Sequence, residues 1–393
     1  MGRQAGCIYK SKNGERWLAR WRQDDIVNGQ TKRVMKFRDL APVNDTYRTK
    51  KDVQSLLDDI LRPINSGKAK PESTLSVAEY GEDHWLPWVR DNCKPSTIAG
   101  YERFWESYLE PRLQKIALRD FRTVDAANIL ADLHRSNGHG RTMLKHCKSI
   151  LSGIFTLARN QGVLDAPNPV QGTMIPKKAA APKETHAATP DEVMAILDAV
   201  ANAKVEYKEI TPEQRLKAQA AVALQFFAGL RPGEARGARW EDFDGRRLTV
   251  RQSVWHTHTT TPKTEESAKA VPIIEPLASI LADLREADGN PSDGPILCGP
   301  SGKVLNLDNL CKRVLMPLFN AKKIEWHGWY SLRRGVATTL ASLSRDPLAS
   351  KGLLRHSSLA TTQKHYIKDV PENTLAAMNR LEQLFSDCST VKQ

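Results

Sequence analysis

The sequence predicts a multidomain chain, mainly α with small β-sheets (α+β). An N-terminal three-stranded sheet plus a helix is followed by a central helical bundle and a C-terminal mixed α/β domain. Three observations predict this. Near the N-terminus, tryptophans and arginines alternate with period two between Asn-Gly turns. From Pro95 to Arg159, apolar side chains recur at helical spacing. Beyond residue 188, Thr-Pro helix starts are followed by two short strand patterns. The expected boundaries are 1–65, 72–170 and 187–385, the last closing on a tail helix.

The first module turns at Asn13-Gly14 and Asn28-Gly29, both hairpin signals. Between them Trp17, Ala19 and Trp21 share one face, and Arg16, Leu18, Arg20 and Arg22 the other. A third strand fits Thr31–Arg38. Thr49–Asp52 reads as a helix start, with Val53, Leu56, Leu57 and Ile60 as a stripe that covers the tryptophan face. Residues 63–71 (PINSGKAKP) read as a linker. In the bundle, Ile98, Tyr101, Phe104, Trp105 and Tyr108 form one stripe. Met143, Cys147, Ile150, Leu151, Ile154 and Leu157 form another, flanked by Lys145 and Lys148. Residues 166–188, rich in Pro, Ala and Lys, read as a second linker. Thr189-Pro190-Asp191-Glu192 and Thr211-Pro212-Glu213-Gln214 are capping boxes that open the next two helices. The second helix ends near Gly229.

The 393 residues carry a formal charge of +13, which points to a polyanionic partner, nucleic acid before a membrane surface. Residues 1–70 alone hold sixteen Lys and Arg against eight Asp and Glu. Six scattered cysteines without a CxxC pair fit reduced thiols and neither a zinc ribbon nor a redox motif. No apolar stretch is long enough for a bilayer and no secretory signal is seen, so a soluble, cytoplasmic protein is expected.

Five positions in the last domain, Arg231, Lys263, Arg333, His356 and Tyr366, carry the chemistry. A phosphodiester is anionic and gains charge on its equatorial oxygens in the transition state, so forked fixed cations suit it. Arg231 follows an apolar helix end and precedes Pro232, a rigid corner where Glu234 can hold its guanidinium. Arg333 sits on a small, apolar helix start, which calls for an anionic partner; Arg334 beside it is a second phosphate contact. Lys263 lies in a polar loop between strand patterns near 247–255 and 270–274. His256 and His258 in that loop make an HxH fragment with no further ligands in view, so no metal is expected. Tyr366 lies on a polar helix (TTQKHYIKD) where a core aromatic would be out of place.

The segments GLRPGEARGARWEDF (229–243), TPKTEESAKAVPI (261–273), YSLRRGVAT (330–338) and LLRHSSLATTQKHYIK (353–368) resemble the signature boxes of the tyrosine recombinases, the phage-type integrases. The resemblance implies that Arg231 and Arg333 hold the scissile phosphate, and that His356 with the arginines removes or shares the proton of the attacking phenol. It implies Lys263 as the general acid that protonates the 5′-oxygen, and Tyr366 as the nucleophile. It also implies an arm-type DNA-binding module with Arg16, Arg20 and Arg22 facing the groove, and a core-binding bundle that clamps DNA through groups such as Lys145 and Lys148. Double-stranded DNA with core and arm-type sites would be the substrate and a homo-tetramer on paired sites the working form, with DNA-bending accessory proteins. The phosphodiester energy stays in the covalent link, so no cofactor is implied.

Two departures from the family pattern stand out. Tyr330 occupies the position three residues before the second arginine, where the family usually has His; its hydroxyl can still reach phosphate. Tyr366 falls ten residues after His356, one more than the commonest interval, and His365 takes the usual place. Tyr366 is assigned because a phosphotyrosine leaves stably and exchanges reversibly; Tyr330 is the second candidate. The alternatives are a non-catalytic DNA-binding regulator with the same fold and a type IB topoisomerase-like enzyme.

Overall fold

The computed structural model describes residues 4–27, 30–66, 70–203, 210–261, 268–299, 301–344 and 347–355. The chain divides into two compact units, Met1–Lys183 and Glu184–Gln393. Among the described residues, no helix is long and apolar enough to cross a membrane.

The first unit holds two apolar cores. Strands β1 (Cys7–Lys10), β2 (Arg16–Val27) and β3 (Gln30–Pro42) form an antiparallel sheet in that order. Its buried face carries Ile8, Trp17, Ala19 and Trp21, covered by Val53, Leu57 and Leu61 of the helix that follows. Alternation thus sorts tryptophans from arginines, because a strand turns successive side chains to opposite faces. The exposed face is more apolar than the arginines alone suggest: Met35 and Phe37 of β3 stand opposite Arg22 and Arg20. Arg16 is ion-paired with Asp39.

Helix α1 spans Gln54–Asn65, later at both ends than its sequence signals imply. The Thr49 amide donates to the Asp52 carboxylate at 2.7 Å, making a turn ahead of the helix. The helix then runs through Pro63 into the stretch read as linker. Its end is pinned where Asn65 exchanges two 2.9 Å hydrogen bonds with the backbone of Gln4.

The second core is helical: α2 (Val77–Tyr80), α3 (Leu86–Asn92), α4 (Pro95–Phe104), α5 (Glu110–Leu113), α6 (Thr123–Asn137) and α7 (Arg141–Asn160). Trp85 and Trp105 are its largest fully buried side chains. Gly81 lies so close to the Trp105 ring that a Cβ there would stand 2.2 Å from it. The α7 stripe is buried as its spacing requires. The stretch read as a second linker is instead anchored on this core at a few points. Val170 and Ala179 are buried in it, and Asn168 donates 2.9 Å to the Ser152 carbonyl. Composition could not reveal this, since a few apolar anchors suffice to dock an irregular segment.

The second unit begins with α8 (Pro190–Ala201) and α9 (Pro212–Phe226). Both open on the expected boxes: Thr189 with Glu192, and Thr211 with Gln214. Helix α9 is buried on nearly all sides from Lys217 to Phe226. Then come α10 (Pro232–Gly237), β4 (Arg247–Thr249), β5 (Ser253–Trp255), β6 (His258–Thr260) and β7 (Ala270–Pro272). The strands make two separate two-stranded sheets, β4 with β7 and β5 with β6. Helices α11 (Glu275–Ala287), α12 (Leu307–Leu310), α13 (Met316–Lys322), α14 (Trp329–Ser344) and α15 (Pro347–Leu354) follow among the described residues.

Candidate active site

Of the residues singled out in the second unit, Arg231, Glu234 and Arg333 meet where α9 ends, α10 begins and α15 ends. Gly229 takes the left-handed conformation (φ 58°), which releases the chain from α9 and turns its carbonyl inward. Arg231 is the N-cap of α10, with Pro232 as the first helical residue. Glu234 then reaches back: its Oε2 accepts the Arg231 backbone amide at 2.9 Å and its Oε1 accepts Arg231 Nη1 at 2.5 Å. A carboxylate over a helix start also meets the positive end of the helix dipole.

Arg333 lies one turn into α14 and is completely buried. Its guanidinium donates to the carbonyl of Gly229 and, at 2.7 Å, to that of Leu354. It approaches Glu234 Oε2 at 3.7 Å. The second arginine therefore joins the ends of α9 and α15, so it carries architecture as well as charge. Gly335, two residues on, is where α14 meets the segment before α8; a Cβ would stand 2.1 Å from the Ala188 carbonyl oxygen.

The residue that sequence reasoning missed is Arg355. It is 3% exposed and takes a left-handed backbone (φ 54°) just beyond α15. Its Nη2 donates to Glu234 Oε2 at 2.7 Å and its Nη1 to the Lys269 carbonyl at 3.4 Å. The available signal was its place directly before His356 in the segment LLRHSSLATTQKHYIK. Three guanidiniums thus surround one carboxylate that is 3% exposed. Burial alone would push the Glu234 carboxyl up, but Arg355, Arg333 and Arg231 together hold it below its usual range. Burial pushes the Arg355 guanidinium down from its usual value, against the pull of Glu234.

Removing Glu234 leaves three cations without their shared partner. Glu234→Gln is expected to cost about 3–5 kcal/mol of stability, the scale for breaking a buried pair. Because the folded carboxyl titrates below the unfolded one, its contribution is present above the unfolded value and fades as pH falls through the folded value. Thermal melts from neutral to acid pH check this: Glu234→Gln should melt lower at neutral pH, and its deficit should shrink on acidification.

The other expected residues are distributed as follows. Tyr330 is 46% exposed on the first turn of α14. Arg334 donates from Nε to the His186 carbonyl at 2.6 Å, holding the segment that leads into α8. His256, in the left-handed region at φ 50°, and His258 flank the β5–β6 turn, against the Trp255 ring. Arg236 of α10 fixes that turn by donating to the His256 carbonyl at 2.8 Å. Gly233 and Gly237 let β5 approach α10: Cβ atoms there would stand 2.5 Å from Ser253 Oγ and 2.6 Å from the Gln252 carbonyl oxygen. Lys263, His356, Tyr366 and the tail helix lie outside the described residues. In the first unit, Arg20, Arg22 and Lys145 are exposed. Lys148 donates to the carbonyls of Gln171 and Thr173, at 3.3 and 2.6 Å.

Comparison with known proteins gives this arrangement a context. A family profile described as "Phage integrase, N-terminal SAM-like domain" matches residues 82–134, within the helical core of the first unit. A tyrosine recombinase XerC-like protein of Caldanaerobacter subterraneus is 23% identical over 368 residues, covering 86% of this chain and 90% of its own. A tyrosine recombinase XerC of a Methylobacterium species is 28% identical over 286 residues, covering 68% and 82%. Among solved structures, the Tn1549 transposon integrase in complex with transposon right end DNA superposes with a TM-score of 0.63 at 18% identity, covering 78% of this chain and all of that one. A lambda integrase dimer bound to a COC' core site gives 0.55 at 19% identity, covering 92% and 94%. The chain is thus similar to tyrosine recombinases along most of their length, carries a segment that matches a phage integrase domain profile, and shares the fold of solved integrases.

Proposed function

We propose that the protein is a site-specific DNA recombinase that integrates or excises a mobile element. The observation that carries this reading is the cluster of Arg231, Arg333 and Arg355 on the single carboxylate of Glu234. Three cations against one anion leave a local excess of two positive charges, held by covalent turns and hydrogen bonds before any DNA arrives. Preorganised charge of this kind stabilises the charge that develops on a phosphoryl group without reorganising as it forms.

In the proposed reaction, the Tyr366 phenol passes its proton to His356 as its oxygen attacks the scissile phosphorus, and the 5′-oxygen departs with a proton from Lys263; the reverse step returns both protons. The product is a 3′-phosphotyrosyl bond and a free 5′-hydroxyl. A 5′-hydroxyl from a second duplex then attacks phosphorus and releases Tyr366. One exchange yields a four-way junction and two yield recombinants. Arg231 and Arg333 hold the equatorial oxygens, with His356 and Tyr330 beside them. Among the structures similar in fold is a lambda integrase tetramer bound to a Holliday junction. By analogy, the working form is proposed to be a homo-tetramer on paired core sites, with DNA-bending proteins assisting. The test is a junction assay with two labelled duplexes bearing the site. A four-way junction that accumulates and resolves supports the proposal. Relaxation of supercoiled plasmid without junctions would make the enzyme topoisomerase-like, and DNA binding without either would make it a regulator.

The N-terminal sheet module (1–65) is proposed to read a second, arm-type site through the face that carries Arg20 and Arg22, with the bundle (72–170) and the catalytic domain (187–385) engaging the core site. Arg20→Ala and Arg22→Ala are each expected to weaken arm-site binding. A phosphate-directed arginine should lower the slope of log affinity against log salt by about 1 and act on all sequences; a base-reading one should relax specificity at one position. Unchanged binding in the double variant would make this face a solvated surface.

A further inference from the structure

Away from the arginine cluster, the second unit gathers a different set of groups. His186, in the segment before α8, Glu192 in the first turn of α8, and His327, just before α14, bring three donor atoms within 4.8 Å of one another. The His186 and His327 rings stack with centroids 3.8 Å apart, and His186 Nε2 lies 2.8 Å from Glu192 Oε2. Two imidazoles and a carboxylate are a donor set suited to a borderline divalent cation.

The surroundings already orient these ligands. The Thr189 amide donates to Glu192 Oε2 at 2.8 Å, and this same contact is the capping box that fixes the carboxylate over the start of α8. The His186 backbone is held by Arg334, and Ala188 next to it donates its amide to the Ser331 carbonyl at 3.0 Å. Hydrogen-bonded ligand carboxylates and a fixed backbone characterise built metal sites. Glu325 Oε1 lies 3.8 Å from His327 Nε2, within reach of the fourth coordination position.

We propose that His186, Glu192 and His327 form a zinc site that clips the segment leading into α8 to the start of α14. The clip would act on stability and not on the phosphoryl chemistry, since it joins two chain segments at the seam beside Arg333 and Arg334. Binding to the folded state alone raises stability by mass action.

The experiment uses the full chain stripped of metal, with Zn²⁺ alone titrated against a chromophoric chelator. One equivalent is expected to bind with micromolar or tighter affinity. At Zn²⁺ a hundredfold above Kd, the thermal midpoint is expected to rise by about 5–10 °C. His186→Gln and His327→Gln are each expected to weaken binding at least about tenfold and to abolish the rise. Should His186→Gln fail to fold, His327→Gln decides. X-ray absorption at the zinc edge is expected to show nitrogen and oxygen neighbours only. Sulfur in the shell, binding that survives His327→Gln, or no binding below about 10 μM would overturn the proposal and leave His186 and Glu192 as an ion pair only. The outcome is independent of the recombination assays, because every readout is metal binding or folding.

Discussion

On a suicide substrate nicked near the crossover, Tyr366→Phe is expected to bind DNA as the wild type does and to trap no covalent complex. In the proposed mechanism the phenolic oxygen is the atom that bonds to phosphorus, so its removal would eliminate the intermediate rather than slow it. A denaturing gel separates the outcomes, since only a protein–DNA adduct migrates with the mass of both. The nearby sequence sharpens the test. His365 occupies the position that the commonest spacing gives to the nucleophile, and Tyr330 is an exposed phenol on the helix that carries Arg333. An adduct in Tyr366→Phe that disappears in Tyr330→Phe would move the nucleophile to Tyr330.

The second large effect concerns the arginines. Arg231→Lys is expected to leave DNA affinity nearly unchanged and to cost about 2–4 kcal/mol of transition-state stabilisation, the scale for one lost oxyanion donor. In rate this is roughly a 30- to 1,000-fold loss of cleavage, since each 1.36 kcal/mol is tenfold. Arg231 suits this test because its side chain is 23% exposed, whereas that of Arg333 is wholly buried. Arg333→Lys is expected to lose as much in cleavage and to melt lower as well. A lysine is a point charge and cannot reproduce the fork that donates to both Gly229 and Leu354. Single-turnover cleavage measured beside thermal melts separates the two losses. A near-normal cleavage rate in Arg231→Lys would remove that residue from the active site.

By itself the sequence determined what local chemistry controls. Period-two alternation sorted Trp17 and Trp21 from Arg20 and Arg22, because the pleat of a strand leaves no other choice. Thr189 and Thr211 fixed two helix starts, since a capping box is satisfied within four residues. The corner at Gly229, Arg231 and Pro232 with its Glu234 partner was legible for the same reason.

Tertiary structure decided what depends on contacts between distant segments. That Glu234 also holds Arg333 and Arg355, about a hundred residues away in sequence, follows from where α14 and α15 dock, and no spacing rule encodes it. The same holds for Gly233, Gly237 and Gly335, whose missing side chains matter only because β5 and the Ala188 carbonyl come so close. The meeting of His186, Glu192 and His327 is of the same kind. Local patterns are set by backbone geometry over a few residues; a buried charge cluster is set by which surfaces the apolar core brings together, and only the folded chain contains that information.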